Sequence, residues 1–316
     1  MISVKFDYGS INKTIDVTEI IKGFIVDNKI ELHHKNYNEL FTDPSPYQKK
    51  FLKITIDNKK PIYASENASF TMDLSPSNEF VPINIVYFIN IYCQEKYIYI
   101  LESQLRQLIH SGITEYANVY IEISGPEEKH DQIRSEIKSM ITLPDDHINC
   151  HVENYYEYFG INKVWELSLN NDGVILYFHS KGITHITEPN QMNCRTYEEL
   201  YMFETIIMNW KYVIWILSIF KSINKIGMGS SRYKWICHNY YFVRTEYARL
   251  CEKPIITSYR FYYEEWVSKY IGYIDNSELN VRKPQDSYYH DSDDCYNLCN
   301  NIDLNYYNIA SQYIPF

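Results

Sequence analysis

Apolar and polar positions change rhythm once along the chain. Over the first eighty or so residues they alternate with period two: Ile2 to Phe6, Phe24 to Val26 with Lys29 to Leu32, and Phe51 to Ile56 with Pro61 to Ala64. Successive strand side chains point to opposite faces, so this alternation predicts half-buried strands, and Asp27-Asn28 and Asp57-Asn58 between the runs predict two hairpin turns. Ser75 to Pro82, rich in Ser, Pro and Asn, reads as a linker. Beyond it, continuous apolar runs alternate with helical spacing. Ile83 to Ile91 is a strand, Gln94 to His110 carries Ile98, Leu101, Leu105 and Leu108 on one helical face, and Val119 to Ile123 completes a βαβ unit. Glu127 to Met140 (helix), His147 to Val152 (strand), Asn162 to Leu169 (helix) and Val174 to Phe178 (strand) continue the alternation. Thr196 followed by Glu199 has the form of a capping box opening a long helix through Trp210 towards Phe220. Trp235 to Val243 reads as a further strand, Glu246 to Cys251 as a short helix, and Tyr259 to Tyr270 as a helix carrying Arg260, Glu264, Glu265 and Trp266. The expected class is α/β: a small β-rich domain over 1–80, then a Rossmann-like mixed sheet flanked by helices over 81–316.

Composition narrows the function classes. A chain of 316 residues and net charge -10 can bury a sizeable core, and its lack of a basic stripe or Lys/Arg cluster argues against a nucleic-acid partner. The 32 tyrosines, with frequent Ile, Asn and Lys, read as coding bias rather than a functional signature. Cys93, Cys150, Cys194, Cys237, Cys251, Cys295 and Cys299 are odd in number and scattered, so reduced thiols and a cytoplasmic setting are expected. The start MISVKFDYGS has no basic region ahead of an apolar core, and the longest apolar stretch, Val213 to Phe220, falls far short of the roughly 20 residues a spanning helix needs. No membrane span is expected.

The candidate chemistry gathers at DGVILYFHSKG, Asp172 to Gly182. The strand ends in His179, Ser180, Lys181 and Gly182, and ligands of open α/β sheets bind outside the carboxyl ends of strands. An imidazole, a hydroxyl and an ammonium beside a flexible Gly suit a phosphorylated ligand; the alternative is a solvated polar turn. Asn90 and Tyr92, ending the first strand of the alternating region, are placed to meet a base or ribose. An attacking hydroxyl needs a base, for which Glu264 is the first candidate and Glu265 the second; otherwise these carboxylates form an exposed helix face on which Arg260 pairs with Glu264. Near the end of the chain, His290, Asp291, Asp293, Asp294, Cys295 and Cys299 have metal-ligand types. Two thiolates at i, i+4 lack the second pair of a zinc ribbon, which leaves either a solvated acidic turn or a divalent ion shared by Asp291, Asp293 and a phosphate. There is no Walker loop, Gly227-Met228-Gly229 is too short for a dinucleotide fingerprint, and the adjacent His33 and His34 point to opposite faces of a strand.

Several of these stretches together carry a resemblance. YFHSKGITH (Tyr177 to His185), preceded by Tyr156-Glu157 and Trp165 and followed by Arg195, Trp210, HNYYFVRTEYARL (His238 to Leu250) and RFYYEEW (Arg260 to Trp266), resembles a family of GT-A-like glycosyltransferases related to rhamnan-synthesis proteins. The resemblance covers roughly residues 83–275 and lies in the order and spacing of its motifs. It implies a GT-A-like sheet and transfer of a sugar from a nucleotide-diphosphate donor to a hydroxyl of a glycan or protein acceptor. It places Glu157, His179, Ser180 (a threonine in the family), Lys181 and Gly182 on the donor, and His238 (a glycine in the family), Arg260 and Trp266 on the acceptor side or in support. Most GT-A enzymes hold the leaving diphosphate with Mn2+ or Mg2+ on an Asp-x-Asp; here Lys181, helped by His179, is expected to take over that charge. The first eighty residues resemble a small β-domain of large DNA viruses, which implies the host cytoplasm. The competing expectations are a non-catalytic glycan- or protein-binding module on a transferase fold and, with less in its favour, another nucleotide-sugar enzyme such as an epimerase.

Overall fold

The computed structural model describes residues 3–269 except 11, 33–35, 49, 57–60, 67–69, 76–80, 93–96, 181–194, 222, 228–235 and 260, together with 295–297. The amino-terminal part builds two antiparallel sheets. Val4–Ser10 (β1), Lys13–Asp16 (β2), Phe51–Ile56 (β5) and Ile62–Ser65 (β6) pair in the order β2-β1-β5-β6, while Ile25–Val26 (β3), Lys29–Leu32 (β4) and Phe70–Asp73 (β7) pair as β3-β4-β7. Two short helices, Thr18–Lys22 (α1) and Tyr37–Phe41 (α2), pack beside them. The β3–β4 hairpin turns where expected, on Asp27 (φ 49°) and Asn28 (φ 61°), because a two-residue type I′ turn needs two left-handed residues. β5 and β6 form the second hairpin, its turn lying outside the described residues. β2 and β7 were not expected.

The larger sheet has the order β10-β9-β8-β11-β13-β12-β14. Its strands are Ile83–Asn90 (β8), Ala117–Ser124 (β9), Ile148–His151 (β10), Val174–His179 (β11), Lys225–Gly227 (β12), Tyr241–Arg244 (β13) and Cys295–Asn297 (β14). β8 to β11 run parallel, and β13 runs against its neighbours β11 and β12. This is the mixed, helix-flanked sheet that the alternation predicted. The helices are Tyr97–His110 (α3), His130–Met140 (α4), Tyr158–Asn170 (α5), Tyr197–Met202 (α6), Trp210–Ile219 (α7), Thr245–Ala248 (α8) and Tyr262–Glu265 (α9).

Strand alternation divides the core in two. Ile85, Tyr87, Leu176, Phe178, Tyr240 and Phe242 face α3, α4, α6 and α7, in one cluster with the core of the amino-terminal sheets. Val86, Phe88, Ile175, Tyr177, Tyr241 and Val243 face α5, α8 and α9. Full burial of a large apolar side chain contributes roughly 1.5–3 kcal/mol, and a one-residue slip would exchange the two faces, so the register is strongly fixed. Helix α5 approaches the sheet closely through Gly160, where an added Cβ would lie 2.7 Å from Phe88 Cβ and 2.8 Å from Tyr177 Cε2.

Three elements depart from expectation for local reasons. The helix from Thr196 to Phe220 is broken: α6 runs into a π-helical turn at Phe203–Ile207 and α7 restarts at Trp210 after a 53° bend. Asn209 fills the break by donating Nδ2 to the carbonyls of Glu204 and Thr205, and Arg244 closes the far end of α7 by donating to the carbonyls of Leu217, Phe220 and Ile223. The strand Trp235 to Val243 shortens to β13 because His238 (φ 67°) and Asn239 (φ 52°) are left-handed. The helix Tyr259 to Tyr270 shortens to α9 and a 3-10 turn at Trp266–Ser268; Thr257 Oγ1 accepts from the Tyr259 N–H, a local turn that competes with helix just before it. Among the described residues no single helix is long and apolar enough to cross a membrane.

Candidate functional site

The connection after β8 leads to β9 on one side of it, while β11 pairs on the other, so the carboxyl ends of β8 and β11 flank a topological switch point. Both ends are tied together. Ser180 N donates to the Phe88 carbonyl at 2.9 Å, and Ser180 Oγ accepts from Asn90 N at 3.3 Å. Asn90 in turn accepts from Tyr92 N (3.0 Å) and donates to Asn154 Oδ1 (2.8 Å), and the exposed Tyr92 hydroxyl donates to the Val152 carbonyl. Asn90, Tyr92, His179 and Ser180, expected to share one site, do meet at one rim. Ser180 is only 4% exposed, so its hydroxyl acts as a buried tie between strand ends.

His179 points to the α5 face, and both of its ring nitrogens meet protein groups. Nε2 lies 3.0 Å from the His238 carbonyl, which can only accept, so this nitrogen carries the proton. Nδ1 faces Glu157 Oε1 at 3.9 Å. Glu157 stands just before α5 without capping it; its Oε2 instead accepts from Tyr177 OH (3.0 Å) and Asn239 Nδ2 (2.8 Å). Burial, reinforced by the Glu157 charge, pushes the Tyr177 phenol well above its usual range and keeps it a donor. Tyr156 (φ 54°), His238 and Asn239 are all left-handed, so backbone strain gathers where the two partner segments reach the rim. The imidazole had been expected to turn outward to a phosphate, and here it is turned to a carboxylate and a carbonyl.

No protein-family model and no curated protein matches this chain. The site therefore rests on its own geometry.

On the opposite face, the same strand end is held by a buried polar network. Tyr240 OH lies 2.8 Å from the His179 carbonyl and 2.9 Å from Glu199 Oε1. Gln104 donates to Glu199 (2.8 Å) and to Tyr240 OH (3.0 Å) and accepts from Tyr87 OH (2.7 Å). Arg195 meets Glu199 through two nitrogens, their side chains only 5% and 0% exposed. Burial pulls the Arg195 guanidinium down, but the charge and hydrogen bonds of Glu199 outweigh it and hold it above its usual value. Only half of the expected capping box forms: Thr196 Oγ1 accepts from Glu199 N at 3.2 Å, while the Glu199 carboxylate turns inward to this network.

Helix α9 packs against the turn that carries His238 and Asn239, with the rings of Tyr156 and Tyr263 6.5 Å apart. Glu264 is half-buried there, and its carboxylate makes no hydrogen bond or ion pair with a described residue. Glu265 is engaged, accepting from Tyr259 OH at 2.9 Å and lying 3.9 Å from Lys269. Trp266 is fully buried and donates Nε1 to the Glu252 carbonyl at 2.8 Å, so it supports the helix from within and offers no surface to an acceptor. Lys181, Gly182, Arg260, His290, Asp291 and Asp293 lie outside the described residues. No group of three or more His, Cys, Asp or Glu among the described residues could hold a metal ion. Cys150 is a free thiol.

A cavity of about 440 Å3, lined by Pro82, Ile83, Glu115, Tyr116, Ala117 and Asn118, opens at the other end of the sheet, beside the amino ends of β8 and β9. Its lining brings a single carboxylate and no cation to balance the charge of a phosphate. Asn239 and Tyr177 were not among the expected site residues. The local signal for Asn239 is its type, since Asn tolerates a left-handed backbone, but no pattern links it to a glutamate 82 positions earlier.

Proposed function

We propose that this chain is a glycosyltransferase that moves a sugar from a nucleotide-diphosphate donor to a hydroxyl of a glycan or protein acceptor. The observation that carries this reading is the convergence of Asn90, Glu157, His179 and Ser180 at the switch point between β8 and β11, the position where open α/β sheets take nucleotides. The motif resemblance supports it independently of that geometry. Transfer leaves a nucleoside diphosphate whose bridging oxygen gains negative charge as the bond to the sugar breaks. Lys181, two residues beyond His179, is the cation assigned to that charge; His179, held between Glu157 and the His238 carbonyl, keeps the strand end oriented. Glu264 is assigned as the base that takes the proton from the attacking hydroxyl, since it is half-buried, has no described partner and sits on the helix packed against the site turn. Mn2+ or Mg2+ held by Asp291, Asp293 or His290 is the alternative source of positive charge.

A thermal-shift panel of UDP, GDP, TDP and CMP compounds tests the reading: one nucleotide class stabilises the protein, and the matching sugar nucleotide is slowly hydrolysed. Glu264→Gln lowers turnover by roughly 10²–10⁴-fold while donor affinity survives; unchanged turnover removes Glu264 from the role. Lys181→Ala with full activity, or activity lost to a chelator and restored by manganese, transfers the lysine's role to an ion.

A non-catalytic glycan-binding module is the second reading, and one surface favours it. Tyr156, Ile255, Ile256, Tyr259 and Phe261 are all exposed around α9, with the Tyr259 and Phe261 rings 5.9 Å apart. Stabilisation by an oligosaccharide with none from any nucleotide would select it.

A further inference from the structure

Resting on the transferase reading, we propose that Asn154 reads the nucleobase of the donor and selects one with a ring carbonyl, as uracil, thymine and guanine have, against adenine. Asn154 lies three residues beyond β10, at the rim where β8 ends, and is exposed. Its amide has one possible orientation. The Tyr92 N–H can only donate, so the Asn90 atom 3.0 Å from it is the side-chain oxygen, and the other end of that amide is the Nδ2 that meets Asn154 at 2.8 Å. Asn154 therefore spends Oδ1 on Asn90 and turns Nδ2, a donor, away from it; Nδ2 makes no hydrogen bond with a described residue. The backbone ahead of it is held as firmly. The carbonyls of His151, Val152 and Glu153 accept from Gly125 N, Tyr92 OH and Ser124 Oγ, and these bonds fix the segment to the ends of β8 and β9.

What this corner offers a ligand is an N–H donor beside an aromatic ring. Tyr92, tied at its N–H to Asn90 and at its hydroxyl to Val152, stays 39% exposed, and its ring is a flat apolar face for a base to lie on. An asparagine amide pairs with adenine through both of its ends, Oδ1 taking the amino N–H while Nδ2 reaches N7. In Asn154 the Oδ1 end is filled by Asn90, so that pairing is closed and the adenine amino group would meet a second donor. A ring carbonyl only accepts, and it matches the free N–H: guanine offers O6 and N7, and uracil and thymine offer O4.

The test is isothermal titration of the intact chain with UDP, TDP, GDP and ADP, in the parent and in Asn154→Asp, Asn154→Ala and Glu153→Gln. Asn154→Asp keeps the shape and still accepts from Asn90 but has no donor, and Asn154→Ala removes the amide without adding charge. Glu153→Gln is the control, because this neighbouring carboxylate is exposed as well. Far-UV circular dichroism and the thermal midpoint of each free variant report its fold. The expected result is that the parent binds one of UDP, TDP and GDP about tenfold more tightly than ADP. That ratio should fall to within about twofold in both Asn154 variants and hold in Glu153→Gln. Taking the ratio to ADP cancels the effect of an added charge on the shared diphosphate. ADP bound as tightly as the best of the other three overturns the base selection and leaves the transferase reading standing. So does a preference that survives in both Asn154 variants, whether or not Glu153→Gln removes it. Failure of all four nucleotides to bind the parent overturns both.

Discussion

Two polar networks hold the end of β11 from opposite faces of the sheet, and they differ in how completely their groups are paired. On the α3 and α6 face, Tyr87, Gln104, Glu199, Arg195 and Tyr240 all have partners; Gln107 Nε2 and Thr205 Oγ1 on that side are buried without one, but neither residue bonds the end of β11. On the α5 face, Glu157, Tyr177, His179 and Asn239 leave Asn239 Oδ1 unpaired, and Tyr241 OH in the same layer is unpaired as well. A fully satisfied buried network fixes geometry, because every departure from it strands a charge or a dipole in low dielectric. An incompletely satisfied one has capacity left for a ligand. The first network therefore reads as the clamp that sets where His179 sits.

Breaking the clamp should have the largest effect. Glu199→Ala leaves Arg195 charged and buried without its partner, so unfolding by urea should show a loss of about 3–5 kcal/mol. A loss under about 1 kcal/mol would mean that the network only decorates the core. Next in size is Gly160→Ala, whose new methyl meets Phe88 Cβ and the Tyr177 ring; despite the better helix propensity of Ala, overpacking should cost about 1–3 kcal/mol. An unchanged midpoint would show that α5 can retreat from the sheet.

A matched pair sharpens the contrast. Tyr240→Phe should cost about 1–3 kcal/mol, because Gln104 and Glu199 are sealed from water and lose a partner, while Tyr177→Phe should cost about 0.5–1.5 kcal/mol, since Glu157 keeps Asn239 and is reached by solvent. Equal costs, measured by the same denaturant titration, would erase the difference between the faces.

The smallest effect concerns alkali and should be alike on both faces. Burial raises the phenols of Tyr177 and Tyr240 well above their usual value. An acid whose folded pKa is raised contributes stability that is complete below its unfolded pKa, about 10 for tyrosine, and is lost as pH climbs towards the folded value. Each Tyr→Phe variant should therefore flatten the fall of stability above about pH 10 by roughly 1.4 kcal/mol per pH unit. Chemical denaturation at pH 9 to 11 would check it, and parallel curves for variant and parent would count against the buried phenols.

Much of the frame was legible before any coordinates. Period two and helical spacing located β8, α3, β9, α4, β10, α5 and β11 within a few residues, because a strand buried on both faces and an amphipathic helix each need a run long enough to show its period. The Asp27-Asn28 turn was legible for a local reason, since those residue types tolerate the left-handed backbone that it requires. The shortened β13, the break before Trp210 and the inward turn of Glu199 were not legible. The first is decided by the left-handed backbone at His238 and Asn239, the second by an Asn209 amide that bonds the carbonyls one turn back, and the third by Gln104, 95 positions away, together with the Arg195 guanidinium.

The chain's own order of residues decided that an α/β sheet forms, where β8 to β11 lie, and that an imidazole and a hydroxyl stand at the end of β11, because hydrophobic period and residue type act locally. The tertiary structure alone decided what that imidazole faces. Glu157, Tyr177 and Asn239 meet only because α5 lies against the sheet through Gly160 and the turn after Ile236 folds back over it. Contacts across 20 and 82 positions leave no period to read; they follow from which surfaces bury together.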